Sequence, residues 1–589
     1  MYTILENARI VLALLKKHNI RHIVLSPGGS NIPIVQGVQQ DPFFKCYSVV
    51  DERSAMYFAI GLHMQTGEII ATSCTSAQAT RNYVPGLTEA YYKRVPILAI
   101  TMSKHPMYLG QDYMQCPIQT SLPIDAVKKS YSLPCINTDQ DRLQCIRTAN
   151  EAILEVTHHG NGPVQLNIEE LDSETWVFDE NIAELPNIRA IRRFNYWEQL
   201  NSDELSHKRI MLVIGEHRSF TEEEKSSIEL FSNSHNVLVY VNPTSNYNGK
   251  YSLNVNLAIA TMSKALFEEQ YAPDIVISIG GLTGDYAIYS KLFNANGGLF
   301  EHWRVSEDGN VVDTYGKLTR IYEMRIEDFF NKFSCENSNN HGYYNLWKSL
   351  GDSLKYPTDI PLSNLYAAIQ LSKILPENSV MTYAIHNSLT VWDYVQTPST
   401  IQAYSPIAAF GIDGGLSMSI GASIATKELN FLITGDLAYL YDMNALAIRH
   451  IDKNMRVLLC NNNGGMEFKF GNLEQKTDVS SYIAADNHFK DSKGWAETNG
   501  FKYFSINTKE EFDAVLPEFV KESDCPIMIE ILTNPNNERE AQRKLMYENW
   551  HGTAEETKSR ALKQNLKETV EGIIGEKGIK IIKKVVGRK

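Results

Sequence analysis

Two short polar segments, each placed directly after a predicted strand, carry the clearest chemical signal in the sequence. Gly435-Asp436 ends the apolar run FLIT, and the segment NNNGG at 461–465 ends the next such run. Loops at the carboxyl ends of neighbouring parallel strands converge on one crevice, so the Asp436 carboxylate and an asparagine side chain are expected to lie close together. Such oxygen ligands, completed by diphosphate oxygens, suit Mg²⁺. The sequence therefore predicts a site for a magnesium-bound diphosphate.

A carboxylate in the N-terminal part is the second candidate. Glu52 lies in the triplet Asp-Glu-Arg that opens a predicted helix after the strand CYSVV. On its own, such a triplet is explained by a surface ion pair at a helix N-terminus. The sequence segments around Glu52 favour a catalytic role over a surface ion pair, because they match one enzyme family in order and spacing.

The chain resembles the 2-succinyl-5-enolpyruvyl-6-hydroxy-3-cyclohexene-1-carboxylate synthase family, the thiamine-diphosphate enzymes of menaquinone synthesis. The likeness covers roughly residues 1–550 and is weakest in the middle. The matching segments are SPGGSNIPI (26–34), VVDERSAMYFAIGLHMQTG (49–67), CTSAQATRNYVPGLTEAYYKRVPILAIT (74–101), LGQDYMQ (109–115), NSLTVWD (387–393), FGIDGGLSMSIGA (410–422), GDLAYLYDMNALA (435–447) and NNNGG (461–465).

The resemblance implies thiamine diphosphate and Mg²⁺ as cofactors, and it implies roles for individual residues. Glu52 would activate the cofactor through its aminopyrimidine ring, and Ile412 would be the apolar wedge that bends it. The implied metal ligands are Asp436, the Asn463 side chain and the Gly465 carbonyl. The implied cofactor-binding residues are Pro27, Gly28, Glu52, Thr75, Ser76, Asn82, Phe410, Ile412, Gly435, Asp436, Leu437, Asn463 and Gly465. The catalytic candidates are Glu52, Gln111, Ser388, Lys104 and His105.

The substrate-binding positions depart from the family pattern. Ser30, Trp392 and Ile407 stand where the family has arginines, whereas Lys104 keeps a charge and Gln78 is introduced near the cofactor. An arginine holds a carboxylate through two hydrogen bonds, and each charge-assisted bond contributes about 1.5–3 kcal/mol. We therefore expect weaker binding of polyanions and a pocket with an apolar wall formed by Trp392, Ile407 and Phe410.

The elements that position these residues are predicted to form an α/β fold. Short β-branched runs such as HIVLSP, NVLVYV and FLITGD alternate with helical segments, which favours parallel sheets covered on both faces. We expect three Rossmann-like domains: pyrimidine-binding (1–185), central (190–340) and diphosphate-binding (355–550). A basic amphipathic tail (556–589) follows, and its two interpretations are a solvated, partly ordered C-terminal helix and a segment in weak contact with a membrane surface or a partner.

Composition limits the classes of function. The net charge of -13 argues against nucleic-acid binding, and the eight cysteines form no zinc or disulfide pattern. No apolar stretch is long enough to span a bilayer and no signal peptide is recognisable, so we expect a cytoplasmic protein. By the resemblance, the cofactor bridges two subunits, which predicts a homodimer or a dimer of dimers.

Three functions remain open. The first is a 2-oxo acid decarboxylase or carboligase, whose acyl-anion equivalent is passed to a carbonyl acceptor or protonated to an aldehyde; the tail suggests surface-polysaccharide biosynthesis. The second is the menaquinone synthase reaction of 2-oxoglutarate with isochorismate. The third is a non-catalytic scaffold, which the joint retention of Glu52, Asp436, Asn463 and Ile412 disfavours. The altered pocket places the first function ahead of the second.

Overall fold

The computed structural model describes residues 1–170, 176–335, 340–470 and 476–560. The chain divides into two compact units. The first comprises Met1–Trp197 and Ser306–Met324, and the second comprises Glu198–Val305 and the described residues from Arg325 onward. The predicted boundaries of the three domains stay a prediction. The predicted basic tail lies, from residue 561 on, outside the described residues.

The N-terminal segment supplies most of the first unit. Its strands are β1 (Tyr2–Thr3), β2 (His22–Leu25), β3 (Lys45–Ser48), β4 (Ile70–Cys74), β5 (Ile97–Lys104), β6 (Ser130–Leu133), β7 (Val164–Glu170), β8 (Phe178–Asp179) and β9 (Arg192–Asn195). Its helices are α1 (Glu6–Lys17), α2 (Ile32–Gln39), α3 (Glu52–Thr66), α4 (Gln78–Asn82), α5 (Val84–Lys93) and α6 (Asp139–Glu155).

The middle segment contributes to both units. Its strands are β10 (Arg209–Ile214), β11 (Asn236–Tyr240), β12 (Ser252–Leu253), β13 (Ile275–Ile279), β14 (Glu301–Val305) and β15 (Leu318–Glu323). Its helices are α7 (Glu222–Ser234), α8 (Asn256–Thr261), α9 (Lys264–Leu266), α10 (Tyr286–Asn294) and α11 (Ile326–Phe333). Strand β15 belongs to the first unit, where it pairs in parallel with β9.

The C-terminal segment completes the second unit. Its strands are β16 (Val380–Tyr383), β17 (Gln402–Tyr404), β18 (Asn430–Gly435), β19 (Met455–Asn461), β20 (Lys502–Ile506) and β21 (Ile527–Leu532). Its helices are α12 (Gly342–Asp352), α13 (Asn364–Leu371), α14 (Asn387–Asp393), α15 (Gly415–Ile424), α16 (Asp436–Asp442), α17 (Lys493–Thr498), α18 (Lys509–Phe519) and α19 (Pro535–Glu548). Among the described residues, no helix is both long and apolar enough to cross a lipid bilayer.

The sheets confirm the predicted α/β class. The first unit contains a parallel six-stranded sheet in the order β3-β2-β4-β5-β7-β6. The second contains the parallel order β12-β11-β10-β13-β14 and a parallel six-stranded sheet, β17-β16-β18-β19-β21-β20. The strand order reverses between β2 and β4 in the first of these six-stranded sheets and between β16 and β18 in the second.

Alternation along the strands explains why both faces of these sheets are buried. In the first unit, Ile23 and Val24 are consecutive residues of β2 that belong to two different buried clusters. In the second unit, Phe431 and Leu432 of β18 divide in the same way. Successive side chains of a strand point to opposite faces, so a continuous apolar run fills a helix layer on each side. Because helices cover both faces of such a sheet, polar functional groups are placed at the ends of its strands.

Candidate active site

The crevice of the first unit lies where its strand order reverses, between β2 and β4. Open α/β sheets bind ligands at such a switch point, beyond the carboxyl ends of the strands. Gly28, after β2, lies so close to the loop after β4 that a Cβ on it would be 2.2 Å from the Thr75 Cβ. The Ser30 amide donates to Thr75 Oγ1 (3.1 Å), and the Ser30 and Ser76 hydroxyls are 3.1 Å apart. The two loops therefore meet in a small polar cradle that also adjoins Pro27.

Glu52 is the first residue of α3, directly after the cap residue Asp51. The Asp51 carboxylate accepts hydrogen bonds from the amide (3.3 Å) and hydroxyl (2.7 Å) of Ser54, which fixes the start of the helix. Glu52 itself is half-buried, and its Oε2 accepts a hydrogen bond from Asn82 Nδ2 at 3.0 Å. The structure thus brings together two residues that the resemblance assigns to cofactor binding.

The end of β5 carries the basic candidates. Lys104 is the last residue of β5, and its register neighbour on β7 is Glu170. His105 caps the short helical turn that follows, with Nδ1 accepting from the Met107 amide (3.2 Å). Gln111 is exposed on the next loop, and Gln78 is the exposed first residue of α4. A cavity of about 390 Å³ lies nearby. Its lining residues are Gly29, Ser30, Thr75, Lys104, Gln115, Glu170 and Trp176.

A buried amide network that the sequence did not reveal supports this crevice. Gln119 is 3% exposed, and its Oε1 accepts from the Ala77 amide (2.8 Å) while its Nε2 donates to Asn167 Oδ1 (3.0 Å). Ala77 has a left-handed φ of 65° just before α4. Such a conformation is rare for alanine and persists where the surroundings hold it. Gln119 therefore positions the turn that carries Gln78.

The crevice of the second unit contains the predicted metal site. Asp436 is the first residue of α16 and follows Gly435, the last residue of β18. Its Oδ2 accepts a hydrogen bond from the Gly464 amide (2.8 Å), and its Oδ1 accepts one from the Leu437 amide (2.8 Å). The carboxylate thus contacts the loop that carries Asn463 and Gly465, because β18 and β19 are parallel neighbours.

This donor set fits a hard dication. Asp436 is 3% exposed, and burial raises the pKa of its carboxyl group from 3.8 to about 6 although backbone amides donate to it. Asn462 Oδ1 is buried without a hydrogen-bond partner in the described part of the chain. The Asn463 side chain exchanges hydrogen bonds with Asn487, donating at 3.2 Å and accepting from its amide at 3.0 Å. A bound Mg²⁺ would offset the desolvation of the buried oxygen atoms.

A buried ion pair holds the loop of this crevice and was not predicted. Lys469 Nζ lies 2.5 and 2.6 Å from the two carboxylate oxygens of Asp486. The Lys469 side chain is 3% exposed. The Gly465 amide also donates to the Ala484 carbonyl (2.6 Å), so residues 464–469 are bound to 484–486 at two places. No local sequence pattern predicts this ion pair, because Lys469 and Asp486 are 17 residues apart in the chain.

The remaining candidates of the second unit lie in two different environments. Phe410 has a left-handed φ of 58°, and its ring packs at 4.8 Å and 86° on His386, which precedes α14. Ile412 is partly buried against the core, and Ser388 on α14 is 5% exposed. Trp392 and Ile407, at 0% and 1% exposure, are members of the hydrophobic core.

The expectation that Trp392 and Ile407 form a pocket wall therefore needs correction. The Trp392 indole N–H donates to Asn364 Oδ1 (3.3 Å), and its ring packs at 5.9 Å from that of Tyr383. Both large side chains are sealed inside the second unit, where they contribute packing rather than an apolar surface for a ligand. The roles assigned to the other site residues stay predictions.

A glutamate held at the start of α3 in the first unit, and a buried aspartate beside an asparagine-glycine loop in the second, fit the class of thiamine-diphosphate enzymes. The family described as "Thiamine pyrophosphate enzyme, N-terminal TPP binding domain" matches residues 6–122, and "Thiamine pyrophosphate enzyme, C-terminal TPP binding domain" matches 387–531. Thiamine diphosphate with Mg²⁺ is accordingly the cofactor of this chain.

Known proteins narrow the family. The chain is 32% identical over 557 residues to the 2-succinyl-5-enolpyruvyl-6-hydroxy-3-cyclohexene-1-carboxylate synthase of Bacteroides thetaiotaomicron, covering 91% of this chain and 98% of that protein. Proteins with the same name from Bacteroides fragilis (33%, covering 91% and 98%) and Phocaeicola vulgatus (32%, covering 94% and 99%) match similarly. The chain belongs to the family of thiamine pyrophosphate enzymes that contains these synthases.

These relatives overturn one sequence-based expectation. A decarboxylase or carboligase of surface-polysaccharide biosynthesis was placed first because three arginine positions are replaced. The relatives that match almost the whole chain are instead consistently named as the synthase, which favours the second function considered above. The first choice was therefore wrong. It gave too much weight to Trp392 and Ile407, which are core residues.

Proposed function

We propose that this chain catalyses the formation of 2-succinyl-5-enolpyruvyl-6-hydroxy-3-cyclohexene-1-carboxylate from 2-oxoglutarate and isochorismate, with release of carbon dioxide. The observation that carries the proposal is the match to synthases over 98% of their length at 32–33% identity. The reaction is a transfer: a four-carbon unit left after decarboxylation forms a new carbon–carbon bond to the second substrate.

The cofactor supplies a nucleophilic carbon and an electron sink for decarboxylation. The chain has to hold it and to manage its protons. Glu52 would accept a hydrogen bond from the aminopyrimidine ring, and Asn82 supports this carboxylate by donating to its Oε2 (3.0 Å). Asp436, with Asn463 and the Gly465 carbonyl, would hold Mg²⁺ and through it the diphosphate. Each task uses a strand-end loop of its own sheet.

Lys104 is our candidate for binding a substrate carboxylate. It lines the same cavity of about 390 Å³ as Ser30 and Gln115, next to the polar cradle after β2 and β4. Ser30 can donate through its hydroxyl but carries no charge, so Lys104 supplies the cationic group of this set. A charge-assisted hydrogen bond contributes about 1.5–3 kcal/mol, which corresponds to roughly a 10- to 150-fold change in affinity.

We also propose that the active unit is a dimer. Tyr57 and Met64 are seven residues apart on α3 and therefore share one face of the helix that begins at Glu52. They are 48% and 65% exposed. Exposed apolar residues grouped on a face mark interaction surfaces, and a second copy of the chain would cover them next to Glu52. We expect light scattering to show a dimer that M64E dissociates, whereas L230E, at a singly exposed apolar position of α7, leaves it intact.

The decisive experiment uses purified protein with thiamine diphosphate and Mg²⁺. We expect carbon dioxide release from 2-oxoglutarate to require isochorismate, and mass spectrometry to detect the joined product. E52Q should lower the rate by about 10²- to 10⁴-fold, the usual contribution of a positioned acid–base group, and still bind the cofactor in calorimetry. E89Q, in the surface pair with Lys93 (3.4 Å), is the control. Full turnover of 2-oxoglutarate alone would contradict the proposed transfer.

The Lys104 proposal has its own test. We expect K104Q to raise the KM of one carboxylate substrate by roughly 10- to 150-fold, the equivalent of the lost charge-assisted bond. K93Q on α5, whose lysine pairs with Glu89 at the surface, should leave both KM values near those of the parent. An unchanged KM in K104Q would remove Lys104 from the substrate site without affecting the proposed reaction.

A further inference from the structure

Two consecutive histidines follow the C-terminal end of α6, outside the residues assigned to the cofactor. His158 is 6% exposed, and the His159 side chain is 61% exposed. His159 has a left-handed φ of 50°, and Gly160 follows with a φ of 107°. This turn folds the two imidazole rings together, with centroids 3.9 Å apart. Histidine is one of the residue types that adopt a left-handed backbone more often than most, so this turn carries little strain.

Glu323, the last residue of β15, faces both rings. His159 Nε2 lies 3.1 Å from Glu323 Oε1, and His158 Nε2 lies 3.8 Å from Glu323 Oε2. One ligand atom from each of the three residues falls within 4.8 Å of the others. Donor atoms around a tetrahedral zinc ion are about 3.4 Å apart, given bond lengths of about 2.0–2.2 Å. Small side-chain rotations would therefore bring all three onto one cation.

The residues around this cluster support metal binding. Glu155 Oε2 lies 3.0 Å from His158 Nδ1, and a carboxylate on one imidazole nitrogen orients the other nitrogen toward a metal. Lys128 fixes this stretch of chain by donating to the carbonyl groups of Glu155 (2.7 Å) and Gly160 (2.8 Å). His158 Nε2 also lies 3.0 Å from the Asp308 carbonyl oxygen, which accepts a hydrogen bond from it, and a metal at this nitrogen would replace that hydrogen bond.

The charge balance indicates which class of cation would bind. Arg193 Nε lies 3.6 Å from Glu323 Oε2, and the Lys128 ammonium lies 3.5 Å from Glu155 Oε1, so two fixed cations face the two carboxylates. Arg193 is also held by the carbonyls of Gly309 (2.9 Å) and Leu154 (3.1 Å) and does not depend on Glu323 for its position. Such a site is not anionic enough for Ca²⁺ or Mg²⁺. Imidazole ligands instead favour zinc and similar transition metals.

We propose that His158, His159 and Glu323 form a site for a divalent transition metal of the zinc class, separate from the Mg²⁺ of the cofactor. The bound ion joins the end of α6 to Glu323, within the segment Ser306–Met324 that the first unit recruits from the middle of the chain. Its role is to fasten that segment, because a metal that binds only the folded form adds its binding free energy to stability.

The test uses the full chain with thiamine diphosphate and excess Mg²⁺, so that the cofactor site is filled, and Co²⁺ as the probe. We expect the parent to retain about one Co²⁺ per chain with the visible absorption of a low-coordinate ion. H159N should lose it at the concentration that saturates the parent. Asparagine tolerates the left-handed backbone, so the fold is kept. H207N is the matched control, because His207 is also exposed with a left-handed φ of 62°.

A second variant separates direct ligation from nonspecific binding. E155Q should keep the site but weaken Co²⁺ binding by about 10- to 100-fold, the usual effect of losing a carboxylate partner of a ligating histidine. The midpoint temperature of thermal unfolding should rise when Co²⁺ is added to the parent and to H207N, but not when it is added to H159N. If the parent binds no Co²⁺ beside Mg²⁺, or if H159N binds as much as the parent, the proposed site does not exist.

Discussion

The buried ion pair between Lys469 and Asp486 gives a quantitative test of how the metal loop is held. Replacing Lys469 with methionine keeps the apolar stem but removes the ammonium group from two contacts of 2.5 and 2.6 Å. The side chains are only 3% and 14% exposed. Removing one partner of such a pair costs about 3–5 kcal/mol, because the other charge stays buried and unpaired. The residual exposure of Asp486 places the expected cost near the lower limit.

We expect the free energy lost in K469M to appear as weaker binding of the cofactor. Asp486 Oδ1 lies 2.2 Å from the position of a Cβ on Gly464, whose amide donates to Asp436. Repacking around the unpaired carboxylate therefore displaces the loop that holds the metal. A loss of about 3 kcal/mol corresponds to roughly a hundredfold weaker affinity. Calorimetric titration with thiamine diphosphate in saturating Mg²⁺ measures it.

A double-mutant cycle separates the charge effect from simple packing. K469M/D486N has no unpaired charge, so we expect it to bind the cofactor more tightly than K469M. The control is K502M, because the Lys502–Glu518 pair is about half exposed (46% and 45%) and should contribute at most about 1 kcal/mol. Parental affinity in K469M, or equal impairment of the single and double variants, would refute the reasoning.

Three further predictions follow from buried groups of the second unit. Burial raises the pKa of Glu538 from 4.5 to about 7, so the folded state keeps a proton that the unfolded chain loses. The free energy of unfolding therefore falls by about 3 kcal/mol as the pH rises through this window. E538Q should lose less stability than the parent between pH 5 and 8, as measured by the midpoints of urea unfolding. G464A places a Cβ 2.8 Å from the Ala484 carbonyl at a φ of 134° and should weaken cofactor binding, whereas G494A in α17, with open space around it, should not. W392R restores the arginine of the family pattern but buries an unpaired charge, so it should yield unfolded protein in circular dichroism; a folded W392R with improved turnover would contradict the core position of Trp392.

The parts of the site that the sequence predicts are those set by topology. A Gly-Asp pair and an asparagine-glycine loop at the ends of neighbouring parallel strands have to meet, and the Gly464 amide does contact Asp436 at 2.8 Å. The strands themselves follow from runs such as MRVLLC, which forms β19. Both inferences need only the pattern along the chain and the geometry of a parallel sheet.

The parts that it does not predict depend on contacts between distant residues. Gln119 reaches Ala77 and Asn167, and Lys469 reaches Asp486, without any periodic signal in the intervening chain. Strand β15 joins the first unit although it lies in the middle of the sequence. Such pairings are fixed by tertiary packing, which a propensity or motif argument does not contain.

Trp392 shows why matching a family position does not establish the environment of a side chain. An arginine at a helix position can extend its charged end out of a pocket wall while its stem packs below. Tryptophan at that position has no charge to solvate, and its indole N–H finds a buried partner in Asn364 at 3.3 Å. Trp392 therefore contributes to packing in this structure. We propose Lys104 as the group that binds a substrate carboxylate, so the KM of K104Q is the measurement that connects the altered pattern to the proposed reaction.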